Sequence, residues 1–277
     1  MRATAEFTTI FVLVSAGLVH CSRDGGQLSA ERAKPLAASV ARAAESDVEE
    51  IRKGLPEGSK RLAPLFEKGE PDAAAAREAL ETARAKVQDL RIAKSTFFAV
   101  VSREGIVLRN DREQDAMAGK PIFPAYPGLR AALEGGYVEA RGDLPEAAGV
   151  RGRGDGQWVA AAPIRAGAEV RGLYVTGWSW SSYAYRLENH ARGEVRGEGK
   201  QPLVYVYVVV ADQVFGAPVS PDVNGQAILA LDPLGKAAPD GSFASPLTIE
   251  GRDFGLAAQK VPALGDRVAV AVLRSET

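Results

Sequence analysis

The sequence predicts an α+β chain, with an N-terminal helical stalk followed by two antiparallel-sheet modules. Three observations carry this. Residues 28–93 are rich in Ala, Glu, Arg and Lys, with apolar residues at helical spacing. From Thr96 onward, short β-branched and aromatic runs alternate with glycine-bearing turns. All three tryptophans, Trp158, Trp178 and Trp180, fall in one segment that reads as two strands around the Ala166–Glu169 turn.

Composition excludes several classes of function. The 277 residues carry a net charge of −1, which gives no electrostatic footprint for nucleic acid, so no nucleic-acid partner is expected. A single cysteine, Cys21, rules out an internal disulfide. The only histidines are His20 and His190. Zinc sites of His and Cys, Cys–His dyads and multi-His iron sites are therefore excluded, and no metal or cofactor is expected. His190 lies in the polar run 188–192 and reads as a solvated helix residue. The carboxylates Asp111 and Asp115 read as turn and cap residues, so no catalytic residue is assigned and the chain is expected not to be an enzyme.

At the N-terminus, Arg2 precedes an apolar run from Phe7 to Val19. A membrane span needs about 20 apolar residues, so this run fits a secretory signal better, over residues 1–20. Leu18-Val19-His20-Cys21 resembles a bacterial lipobox, with His20 where that pattern has Gly, Ala or Ser. The resemblance implies a lipid on Cys21 and a place on the periplasmic or cell-surface face of a bacterial membrane. The alternative is an ordinary signal cleaved near Ala16 or Gly17.

A helix is expected from Leu28 to Gly54. Leu36, Val40, Ala43, Ala44, Val48 and Ile51 form its apolar stripe, which Asp47 interrupts. Gly54-Leu55-Pro56-Glu57-Gly58 is expected to end it, with Ser59 capping a short helix to Phe66. Pro71 and Asp72 suit the start of a third helix, 73–93. Such alanine-rich helices serve either as solvated spacers or as elements packed along the next domain.

In the first module, 96–101 and 106–110 form a hairpin around Gly105. A short helix over 128–135, a strand at 137–140 and the 158–180 hairpin follow, closed by a helix over 181–191. Along the last strand, Leu173, Val175 and Gly177 share one face, and Tyr174, Thr176 and Trp178 share the other. In the second module, strands at 203–210, 214–216, 247–250, 252–259 and 267–273 surround a helix over 221–231.

This order is similar to the Cache family of extracytoplasmic PAS-like sensor domains. The resemblance rests on the stalk, the "Glu-Gly-Ile-Val-Leu-Arg" hairpin, Gly119-Lys120-Pro121, "Trp-Val-Ala-Ala-Ala-Pro-Ile" and "Val-Arg-Gly-Leu-Tyr-Val-Thr-Gly". The resemblance covers roughly Thr96 to Arg186 and, more loosely, the stalk; with the N-terminal run and the later strands it gives the division signal peptide 1–20, stalk 21–95, Cache/PAS-like sensor module 96–192 and a second, smaller PAS-like module 200–277. It also implies a small ligand held between sheet and cover. The matching positions are Phe123, Tyr126 and Arg130 on the cover, with Arg109, Tyr137, Trp158 and Tyr174 on the sheet. Amino-acid-binding members carry a Trp-Tyr pair where this chain has Trp158-Val159. Phe254, Ala257, Ala258 and Arg267 repeat the residue types or character of Trp158, Ala161, Ala162 and Arg171 at a constant spacing, which suggests an internal repeat. The second module has no tryptophan and reads as a support or dimerisation unit.

Two functions are compatible with these features. One is a small-molecule-sensing lipoprotein that signals through a membrane-bound partner. The other is a structural or adaptor lipoprotein that uses the fold as an interaction scaffold.

Overall fold

The computed structural model describes residues 20–67, 69, 71–147 and 155–276, with side chains from residue 25 on. The leader expected over 1–20, apart from the backbone of His20, lies outside the described residues, as do the side chain of Cys21 and the loop around Arg153.

One helix, α1 (His20–Leu62), organises the rest. At 1.5 Å per residue its 43 residues extend about 65 Å. The expected stop at 54–58 does not occur; the helix runs through Gly54, Pro56 and Gly58 into a 3₁₀ turn, Ala63–Phe66. The reason is close packing. A Cβ on Gly54 would lie 2.8 Å from Leu90 Cδ2, and one on Gly58 would lie 2.6 Å from the Tyr174 ring. These glycines let neighbours approach the helix rather than ending it.

Two short helices follow, α2 (Ala73–Lys86) and α3 (Gln88–Ile92). Asp72 caps α2 as expected, accepting from the Ala75 amide at 2.8 Å. The single helix expected over 73–93 is broken at Val87, whose backbone is extended (φ −104°, ψ 115°).

The first sheet contains β1 (Phe97–Ser102), β2 (Val107–Asn110), β3 (Val138–Gly142), β4 (Gln157–Ala166) and β5 (Glu169–Ser179). Its strand order is β2-β1-β5-β4-β3, antiparallel throughout. Helix α4 (Trp180–Glu194) leads to the second sheet of β6 (Leu203–Val210), β7 (Gln213–Gly216), β8 (Ser242–Ile249), β9 (Arg252–Lys260) and β10 (Val268–Ser275). Helix α5 (Asp222–Leu231) lies between β7 and β8 in the chain. The second order, β7-β6-β10-β9-β8, repeats the first strand for strand. The fold is therefore α+β, with a long helix and two tandem PAS-like sheets. Strand β8 begins five residues before the expected 247.

Each sheet buries both faces. The helix-side face of the first sheet (Phe98, Trp158, Tyr174, Trp178) and that of the second (Val206, Val208, Val270, Val272) join one core with α1 and α4. The first half of α1 lies on the second sheet and its last turns lie on the first, so the alanine-rich segment is a packed spine, not a solvated spacer. Val48, Ile51 and Leu55 of α1 are fully buried, each stabilising the fold by roughly 1.5–3 kcal/mol. Glu188 ties the modules together: its Oε2 accepts from the Val206 amide at 3.1 Å and its Oε1 pairs with Arg192 at 2.7 Å.

The internal repeat holds in architecture but not in the sequence register proposed for it. Trp158 lies in the core shared with α1, whereas its proposed counterpart Phe254 lies on the outer face of the second sheet. Ala161 and Ala257 are likewise on opposite faces. A shift of one residue along a strand inverts every side chain, so a repeat matched on alanines can be off by one face.

Candidate ligand-binding site

The outer face of the first sheet presents Phe97, Ala99, Val101, Val159, Ala161, Leu173 and Val175 to a cover formed by residues 111–135. Asp115 folds the start of this cover. Its side chain is buried and accepts from the amides of Asn110 (2.7 Å), Met117 (2.9 Å) and Ala118 (3.0 Å). Asp111 accepts from the Phe98 amide at 2.9 Å. Asp115 holds a turn, as its sequence context predicts, whereas Asp111 ties the end of β2 to β1 and pairs with Arg84 of α2 at 3.1 Å.

Two glycines let the cover settle on the sheet. Gly105 adopts φ +89°, and a Cβ there would lie 2.2 Å from the Phe123 ring. A Cβ on Gly142 would lie 1.9 Å from Ala125 O. Phe123 is thus held against the 102–105 turn, with the exposed Arg130 guanidinium 4.6 Å from its ring centroid. Tyr126 is fully buried and donates to Gln157 Oε1 at 2.6 Å, an oxygen that also accepts from the Leu144 amide at 2.7 Å. Burial raises the Tyr126 hydroxyl's pKa, so it remains a neutral donor.

Phe123, Tyr126 and Arg130 therefore come together on the cover. The other four residues named from the sequence do not join them. Trp158 and Tyr174 lie on the opposite face of the sheet, in the core shared with α1. Trp158 stacks on Trp178 at 4.4 Å, and Trp178 stacks on Tyr183 of α4 at 4.3 Å. Tyr174 packs against Phe98 at 5.7 Å. Arg109 stays in its own loop, donating to Arg112 O at 2.8 Å and pairing with Asp115 at 3.5 Å. Tyr137 donates to Glu139 at 2.9 Å and lines a separate cleft of about 310 Å³ between the end of α1 and β4, flanked by Lys60 and Arg165. Gln157 was not singled out from the sequence. Its place on β4 next to Trp158, and hence on the other face, was the available signal.

Among the described residues no cluster of His, Cys, Asp or Glu could hold a metal ion, and no helix is long and apolar enough to cross a membrane.

A sheet of order 2-1-5-4-3, roofed on one face, backed by a long helix on the other and present twice, is a tandem PAS-like fold. No family model and no curated protein sequence matches the chain. Solved structures do share its fold. One is the extracellular domain of a protein described as a histidine kinase, vpHK1S-Z8 (TM-score 0.58, 9% identity, covering 91% of this chain and 93% of that one). Another is a domain described as part of a sensory box/GGDEF family protein of Vibrio parahaemolyticus (TM-score 0.57, 10% identity, 91% and 98% covered). A third is the ligand-binding domain of the Pseudomonas fluorescens chemoreceptor CtaA with L-isoleucine (TM-score 0.51, 9% identity, 93% and 96% covered).

Proposed function

We propose that this chain is an extracytoplasmic sensor lobe that binds a small molecule under the cover of its first module and signals through a membrane-bound partner. The ligand contacts are Phe123, Tyr126 and Arg130, with Gln157 beneath them. The observation that carries this reading is the alternation along β4. Gln157 holds the cover through Tyr126, and its neighbour Trp158 stacks into the aromatic column that reaches α4 and α1. A ligand that shifts the cover would move both faces of β4 and thus bias the long helix. Trp158 and Tyr174 act in this scheme as relay residues rather than ligand contacts.

Thermal-shift screening with small carboxylates, amines and nucleobases tests the proposal. A ligand at 100 times its Kd adds about 2.7 kcal/mol of stability. We expect at least one class to raise the melting temperature, and Arg130→Ala to reduce that response. The complete burial of Tyr126 and Trp158 favours the second reading, an adaptor scaffold. A screen without a response in any class selects it.

We further propose that the membrane anchor is a lipid on Cys21, in the first turn of α1, placing the spine helix directly at the membrane surface. Cell fractionation checks this. Cys21→Ser is expected to move the protein from the membrane to the soluble fraction, and unchanged membrane association would refute lipidation at this residue.

A further inference from the structure

We propose that the second module has its own binding site, a cleft between β7 and α5 that takes a small uncharged hydroxylated molecule of monosaccharide size. The cleft has a volume of about 400 Å³ and is bounded by Val214 and Gly216 on one side and by Pro221, Gly225 and Leu229 on the other, with Tyr207 at its base.

Buried polar atoms point to an occupant. Ser220, which lines the cleft, is nine-tenths buried, and its Oγ makes no well-formed hydrogen bond although it interacts with the Tyr207 hydroxyl. Asn224 of α5, which does not itself line the cleft, is 3% exposed and interacts with the same Tyr207 hydroxyl, its Nδ2 making no well-formed hydrogen bond. Buried polar groups with poor hydrogen bonds are disfavoured, and a ligand hydroxyl in the cleft would give the Ser220 hydroxyl, and the Tyr207 hydroxyl that donates to Pro221 O only at 3.4 Å, a better partner. The backbone also makes room. Gly225 lies within the ten-residue α5, where glycine is a poor helix former. No neighbour requires it, because a Cβ there would meet nothing closer than Val214 Cγ1 at 3.6 Å. Its missing side chain opens the cleft.

The lining selects the chemical class. No Lys, Arg or His lines the cleft, and Asp222 does, so an anion would lack a counter-charge. The Tyr207 hydroxyl, pushed up to about 12 by burial, remains a neutral hydrogen-bonding group. Val214, Pro221 and Leu229 offer an apolar wall to the C–H face of a sugar or cyclitol.

Amide NMR spectra of the full chain, titrated with D-glucose, myo-inositol and acetate, test this. We expect one of the neutral probes to shift the Gly216 and Gly225 amides saturably. Ser220→Ala should weaken that response about tenfold, the equivalent of one lost hydrogen bond. Gly225→Leu, which fills the cleft, should abolish it, while Gly193→Ala should leave it intact. The proposal is overturned if neither neutral probe moves these amides, if acetate moves them more than the neutral probes do, or if Gly225→Leu leaves the response in place. The outcome is independent of ligand binding in the first module, which would be read at Gly105 and Gly142.

Discussion

Gly255→Ala is expected to cost about 4 kcal/mol of folding stability or more, measured by urea denaturation. A Cβ at this position in β9 would lie 1.9 Å from Ala30 N and 2.2 Å from Ser29 C. These are backbone atoms of α1 and cannot rotate away as a side chain could. Relief requires α1 to lift from the second sheet. The same helix packs its far end against Tyr174 of the first sheet, so a displacement at Gly255 reaches the core that both sheets share. Gly193→Ala is the control. Nothing lies within 4 Å of a Cβ at that position in α4, and alanine there should stabilise the helix by roughly 0.5–1 kcal/mol. Similar small effects at both sites would mean that α1 does not depend on close approach to β9.

This dependence on close approach explains what the sequence does and does not disclose. Most strands are legible because they are short β-branched or aromatic runs bounded by turn residues, whereas their 2-1-5-4-3 order is seen only in the structure. The length of α1 is not legible. Gly54 and Gly58 carry the composition of a helix stop, and only the presence of Leu90 and Tyr174 against them reveals their packing role. Alternation along β5 separates Tyr174 and Trp178 from Leu173 and Val175, and the structure keeps that separation. Which set lies under the cover is a different question. When both faces of a sheet are buried, hydrophobicity does not distinguish them, and the larger aromatics are drawn equally to a ligand wall and to a helix interface. The sequence therefore groups Trp158 and Tyr174 with Tyr126, from which the thickness of the sheet separates them. Gln157, a lone polar residue beside a tryptophan at the start of an apolar strand, was the better marker of the cover side.

The polar break in the α1 stripe yields the second large effect. Asp47 is 3% exposed and accepts from both arms of Arg186 and from the Tyr183 hydroxyl at 3.0 Å. Tyr183 is also the end of the Trp158–Trp178 column, so this carboxylate fastens α1 to α4 where the first module's aromatic stack arrives. Asp47→Ala leaves the partly exposed Arg186 guanidinium and the buried Tyr183 hydroxyl without their acceptor and is expected to cost about 1–3 kcal/mol in chemical denaturation. The double variant Asp47→Leu/Arg186→Leu removes both charges and should recover most of that loss. A double variant no more stable than Asp47→Ala would contradict a loss dominated by an uncompensated charge. The pH dependence follows with a definite sign. Desolvation raises the Asp47 pKa above its ordinary value despite the opposing pull of Arg186. The folded chain thus takes up this proton at a higher pH than the unfolded chain. Stability from this group rises as pH falls from the elevated folded value toward the ordinary carboxylate value, and is lost as pH climbs back through that interval. Comparing denaturation of the parent and the double variant across mildly acidic pH reads this effect together with that of Glu50, whose carboxyl is held above its ordinary value by burial and by Asp47 and pulled down by Arg186.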